Sequence, residues 1–325
     1  MNSLIPPFDF HQVCLAPWTE QFGSTIWIVL MGFLVTAACG LVGNYLILRR
    51  MALVGDAISH SVLPGIALAF LLSNSRGTIP MFLGALVAGI VATLIIEVIH
   101  KKSRVKQDSA IGIAFTSLFA IGVILISLYA SKVDLDQECV LYGEIAFVPL
   151  APMVELGGMA IAPQPVFRMA VVAIIVILLI VIFYKELLVS SFDPALAFSV
   201  GINATVIHYS LMCVLSAVVV SAFESVGAIL VIAMLILPGA TASMLWHRLP
   251  GILCLTVLFS ALSSVLGFHL ATWLNCSIAA AMVVMAAFCF VLAWLFSPTQ
   301  GMLRRWKRKP LEEPLPEPAL NPPKL

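Results

Sequence analysis

Charge is the scarcest commodity in this sequence. Only 10% of its 325 residues are Asp, Glu, Lys or Arg, against roughly 25% in a soluble globular chain. Hydrophobic residues make up 62%, and the mean hydropathy is +1.10. Such a composition excludes an ordinary soluble enzyme and a disordered chain. With 17 Lys+Arg against 16 Asp+Glu, the chain also lacks the basic excess that neutralises phosphates, which excludes nucleic acid as a partner. No G-x-x-x-x-G-K-S/T is present, so the chain has no cradle of its own for ATP phosphates. Neither H-E-x-x-H nor G-x-S-x-G occurs, and no nucleophile stands beside a base at a recognisable spacing, so no enzyme active site is expected. The seven Cys form no C-x-x-C and read as small buried hydrophobes, not as a disulfide framework or thiolate site. No Lys or Arg precedes the first apolar run, and Pro6, Pro7, Asp9, Pro17 and Glu20 interrupt the approach to it. Residues 1–25 therefore read as a short extracytoplasmic, interfacial segment and not as a secretory signal.

Long apolar runs fill the rest. They fall at about 26–48, 56–73, 79–99, 110–130, 166–184, 207–223, 225–245, 250–273 and 278–296. Each approaches the ~17–25 residues needed to cross the hydrocarbon. An all-α, polytopic membrane protein of about nine spans is expected, with membrane lipid as its solvent over residues 26–296. The sixth and seventh runs almost touch, which predicts a tight turn near Phe223–Glu224. Lys and Arg set the orientation. With the N-terminus outside, 14 of them fall in inner segments (Arg49, Arg50, Lys101 and Lys102 among the first) and 3 in outer ones, Arg76, Lys132 and Arg168. The C-terminus is then cytoplasmic, and residues 297–325, basic and then rich in Pro and Glu, form a disordered cytoplasmic tail. The outer segment 131–165 is the longest loop; part of it is expected to be a short helix on or re-entering the outer surface. Small residues four apart, Gly84 with Ala88 and Ala85 with Gly89, predict close helix packing.

Ionisable groups inside a span are expensive, at least ~2.5–3.5 kcal/mol for Asp at the centre, so each one needs a reason. Asp56 and His60 lie four apart at the start of the second run and share one helical face. A carboxylate oxygen and an imidazole nitrogen can meet a single divalent ion, and an O/N pair suits Mn, Fe or Zn better than Ca or Mg. Two ligands are too few for tight binding; a second copy of the helix across a two-fold axis would supply four. The competing reading makes Asp56 a helix cap and His60 a satisfied core histidine. Glu97 and His100 meet the basic loop 101–106 and are expected to pair with Lys101 or Lys102. His208 reads as interfacial. His269 is a third candidate metal contact, which either lines a path or donates to a carbonyl. After the fifth run, Asp193 and Pro194 form a helix-start signal. Ala195, Leu196, Ala197 and Phe198 then give a short apolar face that Gly201 ends. A cytoplasmic loop has no use for such a face unless a partner or the membrane surface covers it.

These stretches occur in order with others: residues 48–65 (LRRMALVGDAISHSVLPG), 108–117 (DSAIGIAFTS), 133–136 (VDLD), 184–194 (YKELLVSSFDP), 225–231 (SVGAILV) and 237–242 (LPGATA). Together they resemble the permease family of bacterial ABC importers for manganese, zinc and iron. The resemblance implies a multi-pass protein of the cell inner membrane that moves a divalent metal inward and holds no cofactor beyond the transported ion. It implies a second permease copy or paralogue, a cytoplasmic ATPase subunit and an extracytoplasmic solute-binding protein as partners. The family's gate Asp and His match Asp56 and His60. Its coupling helix, which docks in the ATPase, matches the region of Phe192, Asp193, Pro194, Leu196 and Phe198. Protonating His60 would expel a cation, so uptake is expected to fall at acid pH. Two rivals stand beside this reading: a secondary metal transporter driven by an ion gradient, which would need acidic relays deep in several spans, and an intramembrane metalloenzyme, which would need three closed metal ligands.

Overall fold

The computed structural model of the protein describes residues 6–73, 78–129, 145–156 and 159–297. Eleven helices organise it: α1 Phe22–Leu48, α2 Val54–Ser73, α3 Thr78–Lys102, α4 Gln107–Tyr129, α5 Gln164–Ile182, α6 Tyr184–Phe192, α7 Pro194–Ser199, α8 Ala204–Val226, α9 Ala228–Leu245, α10 Leu249–Leu274 and α11 Ile278–Phe296. Among the described residues, eight of these are long and apolar enough to cross a membrane; the apolar part of α9, Leu230–Leu245, is shorter. The outer faces stay apolar: Ile174, Ile177, Leu178 and Val181 on α5 and Val87 and Leu94 on α3 are exposed. In water such a surface would be an aggregation hazard. In lipid it is the appropriate one. The protein is a multi-pass membrane protein.

Lipid tails are as apolar as leucine, so helices associate through close packing and interhelical hydrogen bonds instead. Helix α1 is central by this criterion. Gly32, Thr36, Gly40 and Asn44 recur along it at every fourth position and are all buried. Opposite them α10 buries Thr256, Ser260 and Ser264. The Asn44 amide donates to Thr256 Oγ1 at 2.9 Å and to the Gly40 carbonyl at 2.9 Å. A methyl group at Gly40 would come 2.8 Å from Thr256 Cγ2. The predicted small-residue contact on α3 is present too. Gly84 meets Gly65 of α2 so closely that a methyl at Gly84 would stand 2.5 Å from the Gly65 carbonyl oxygen.

Two boundaries differ from the sequence reading. The turn expected at Phe223–Glu224 is a single residue, Gly227, at φ 84° and ψ 158°. Only glycine occupies that region without strain, so α8 runs on to Val226 and α9 starts at once. In the loop 131–165, residues 131–144 lie outside the described residues, as do the sequence motif 133–136 and the tail 298–325. The rest of the loop holds a six-residue 3-10 helix, Ile145–Leu150, and an antiparallel hairpin that the sequence does not suggest. The hairpin pairs β1 Met153–Leu156 with β2 Met159–Pro163 through a bulge at Val154/Glu155. The N-terminal stretch forms short helical turns at His11–Leu15 and Ala16–Thr19. These carry exposed Leu15 and follow exposed Phe8 and Phe10, as an interfacial segment would.

Candidate metal centre

The candidate centre starts from how α1 ends. Arg50 sits in the left-handed region at φ 58°. Its amide bonds the Ile47 carbonyl at 3.0 Å, and the Met51 amide bonds the Leu46 carbonyl at 2.9 Å. This pair of bonds is a Schellman closure, here made without glycine. The chain reverses within five residues, and α2 begins at Val54. Asp56 then falls in the first turn of α2, where the helix dipole favours a carboxylate.

One turn on, His60 Nε2 lies 3.3 Å from Asp56 Oδ1. The two side chains are 25% (His60) and 32% (Asp56) exposed, so the pair is reachable and is not sealed in the core. Two aromatic rings of α4 hold the imidazole in place. Phe115 lies 5.6 Å from it, centroid to centroid, with 34° between planes. Phe119 meets it edge-on at 6.0 Å. Pro64 falls one turn after His60. Proline has no N–H, so the His60 carbonyl lacks its i+4 helical donor. Helix α4 packs onto that site: a methyl at Gly122 would meet the Pro64 nitrogen at 2.8 Å. Among the described residues no three His, Cys, Asp or Glu side chains converge to hold a metal. Asp56 and His60 are therefore two candidate ligands side by side, fewer than a tight site needs.

A second cluster of charge lies at the end of the bundle where α1 stops. Arg49 Nε donates to Ser191 Oγ at 3.1 Å and Nη2 donates to Ser190 Oγ at 3.0 Å, both on α6. Nη1 lies 3.3 Å from His208 Nδ1 on α8. A guanidinium can only donate, so Nδ1 accepts and the proton of the neutral ring sits on Nε2. That nitrogen is 3.2 Å from Glu97 Oε2 on α3, while Glu97 Oε1 pairs with Lys101 at 2.6 Å. The predicted Glu97–Lys101 pair is thus present. Burial pushes the Arg49 guanidinium below the ordinary arginine pKa. Sequence alone assigns Arg49 to topology and His208 to the interface. Their partners lie 111 to 159 residues away, and no local spacing signals them.

The apolar loop segment folds as its residues direct. Asp193 Oδ1 accepts from the Ala195 and Leu196 amides at 2.9 and 3.1 Å and caps α7, with Pro194 at its first position. Gly201, at φ 85°, closes the other end: the Gly201 amide bonds Phe198 O and the Ile202 amide bonds Ala197 O. Ala197 is buried, whereas Phe192, Leu196, Phe198 and Val200 point outward, Phe198 at 80% exposure. Asn203 then caps α8.

His269 occupies the opposite end. Trp18 Nε1 donates to its Nε2 at 3.3 Å, so its Nδ1 carries the proton and donates to the Val13 carbonyl at 2.9 Å. Both ring nitrogens are engaged. Of its two sequence readings, donation to a carbonyl is the one the geometry shows, and the ring pins the N-terminal turns onto α10.

Comparison with known proteins gives a consistent result. The ABC 3 transport family matches residues 21–297. The manganese transport system membrane protein MntD of Bacillus subtilis is 47% identical over 279 residues, covering 86% of this chain and 94% of that protein. The zinc transport system membrane protein TroD of Treponema pallidum is 43% identical over 281 residues, covering 86% of this chain and 76% of that protein. Among solved structures, PsaBC from Streptococcus pneumoniae in complex with Fab aligns with a TM-score of 0.75 at 35% identity, covering 92% of this chain and all of that one.

Proposed function

The chain belongs to the ABC 3 transport family, and from that premise we infer that it is the membrane permease subunit of an ATP-driven importer of a divalent transition metal. Relatives named for manganese and for zinc match it at similar identity, so the cargo class is a small dication that accepts O/N ligands. The observation that carries the site is the Asp56–His60 pair, 3.3 Å apart and only partly buried within the chain. Asp56 and His60 contact the ion briefly. A second permease copy or paralogue across a two-fold axis brings a second such pair and completes four ligands. The contact is loose enough to release what it binds.

The basic end of the bundle is cytoplasmic, and a reporter fused after Leu325 is expected on that side. There α7 presents Phe192, Leu196 and Phe198 to the ATPase subunit, with Asp193 and Pro194 fixing the helix start. The permease supplies no ATP site; hydrolysis belongs to that subunit, and an extracytoplasmic solute-binding protein delivers the ion. The deciding measurement is accumulation of manganese, and separately of zinc, in cells expressing the full importer. Uptake is expected to stop when ATP is depleted and the ion gradients are kept. Uptake that continued would favour the gradient-driven reading.

A further inference from the structure

The Arg49 cluster joins four helices through one side chain, and none of its direct partners is charged. Ser190 and Ser191 are hydroxyls, and His208 is a neutral ring that passes the interaction to Glu97 and Lys101. Ser191 stands two residues before Asp193, the cap of α7. A displacement of α7 is carried along α6 to Ser190 and Ser191 and so to Arg49, which links it to α1, α8 and, through His208, α3. Arg49 also begins the reversal that leads, seven residues on, to Asp56. A guanidinium held by neutral groups is released more easily than one held by a carboxylate, because it lacks the Coulomb attraction of an opposite charge.

A second acceptor is within one turn. Glu186 precedes Ser190 by four residues on α6, on the same face, about 5.4 Å back along the helix. Its Oε2 is buried and has no hydrogen-bond partner among the described residues. Leaving a buried carboxylate oxygen unpaired is costly, and a group in that condition is poised for a partner it gains in another arrangement. One-turn shifts of one element past another are an established way for packed helices to switch.

We propose that Arg49 is a positioning residue that transmits movement of α7 to the metal-contact helix, holding Ser190 and Ser191 in this arrangement and taking Glu186 in the alternate one. The proposal rests on the reading of α7 as the ATPase contact, and that reading has its own control: a Phe198→Asp variant that still co-purified the ATPase would defeat the docking reading whatever Arg49 does.

The test uses the full importer in proteoliposomes with manganese as cargo. Ser190→Ala/Ser191→Ala removes only two hydroxyls and Glu186→Gln only one charge, so both variants should assemble, and ATPase co-purification verifies it; Arg49→Lys is the third variant. ATP hydrolysis is expected to persist in all three, while manganese delivered per ATP falls about tenfold, within the range usual for coupling between two sites. Glu186→Gln is further expected to keep or raise the thermal midpoint while transport falls, because it relieves the orphaned charge of this arrangement. Manganese per ATP unchanged in the serine pair and in Arg49→Lys would overturn the proposal, as would hydrolysis falling in step with uptake. Normal coupling in Glu186→Gln alone would remove Glu186 as the alternate acceptor.

Discussion

The Asp56 carboxylate and the His60 imidazole stand 3.3 Å apart on one face of α2, with Phe115 and Phe119 against the ring. A carboxylate this close can orient the imidazole, and both can turn to a passing cation. Asp56→Ala and His60→Ala are each expected to lower metal accumulation at normal expression. The loss should be at least the ~10-fold seen when even an outer-shell partner of a metal site is removed. Isotope uptake in membrane vesicles measures it; wild-type uptake in both variants would remove the assignment.

Pro64 separates stability from function at the same place. A proline inside a helix costs roughly 3 kcal/mol, so Pro64→Ala should hold or raise the thermal midpoint of the purified protein. It would also restore the donor to the His60 carbonyl and change the close contact that Pro64 makes with Gly122 of α4. Uptake is therefore expected to fall in a protein that is no less stable. A variant both more stable and fully active would show that Pro64 has no part in transport.

How much of this is legible in the sequence depends on the range of the interaction. Asp56–His60, the Asp193 cap, the Gly201 closure and the Gly84 packing contact rest on residues one to four positions apart or on a single glycine, and all can be read directly. Arg49 cannot. Its partners Ser190, Ser191 and His208 are brought to it only by the way α1, α6 and α8 assemble, and a buried arginine beside a basic loop looks like one more topology charge. The joint at Gly227 escapes a hydropathy reading because that reading averages over a window, and a one-residue break leaves the average unchanged. The hairpin 153–163 escapes a hydropathy reading because its residues are mostly apolar; the signal that could have found it is Gly157-Gly158 between two short runs.

Helix α7 offers a graded test of the ATPase contact. Asp193→Ala removes both cap bonds and should cost about 0.5–2 kcal/mol of local helix stability, weakening the contact without abolishing it. Phe198→Asp places a charge at the centre of the exposed apolar face and should abolish co-purification of the ATPase subunit while leaving membrane insertion intact. Partial loss in the first and complete loss in the second, read by pull-down from detergent extracts, is the expected order. The reverse order, with the ATPase retained by Phe198→Asp, would defeat the docking reading.

His269 provides the contrast with His60, since the two histidines differ in what their ring nitrogens hold. Those of His269 are committed to Trp18 and Val13, whereas the His60 ring faces Asp56 and is only partly buried within the chain. His269→Ala leaves the Trp18 indole N–H without its acceptor and the Val13 carbonyl without its donor. Unmade bonds of partly buried groups cost about 1–3 kcal/mol, so the thermal midpoint should drop and protease cleavage within residues 6–20 should accelerate. Metal uptake below the melting transition should stay close to wild type, because Asp56 and His60 are untouched. Loss of uptake in His269→Ala with an unchanged thermal midpoint would return His269 to the conduction path and require a second metal contact at the end of the bundle opposite Arg49.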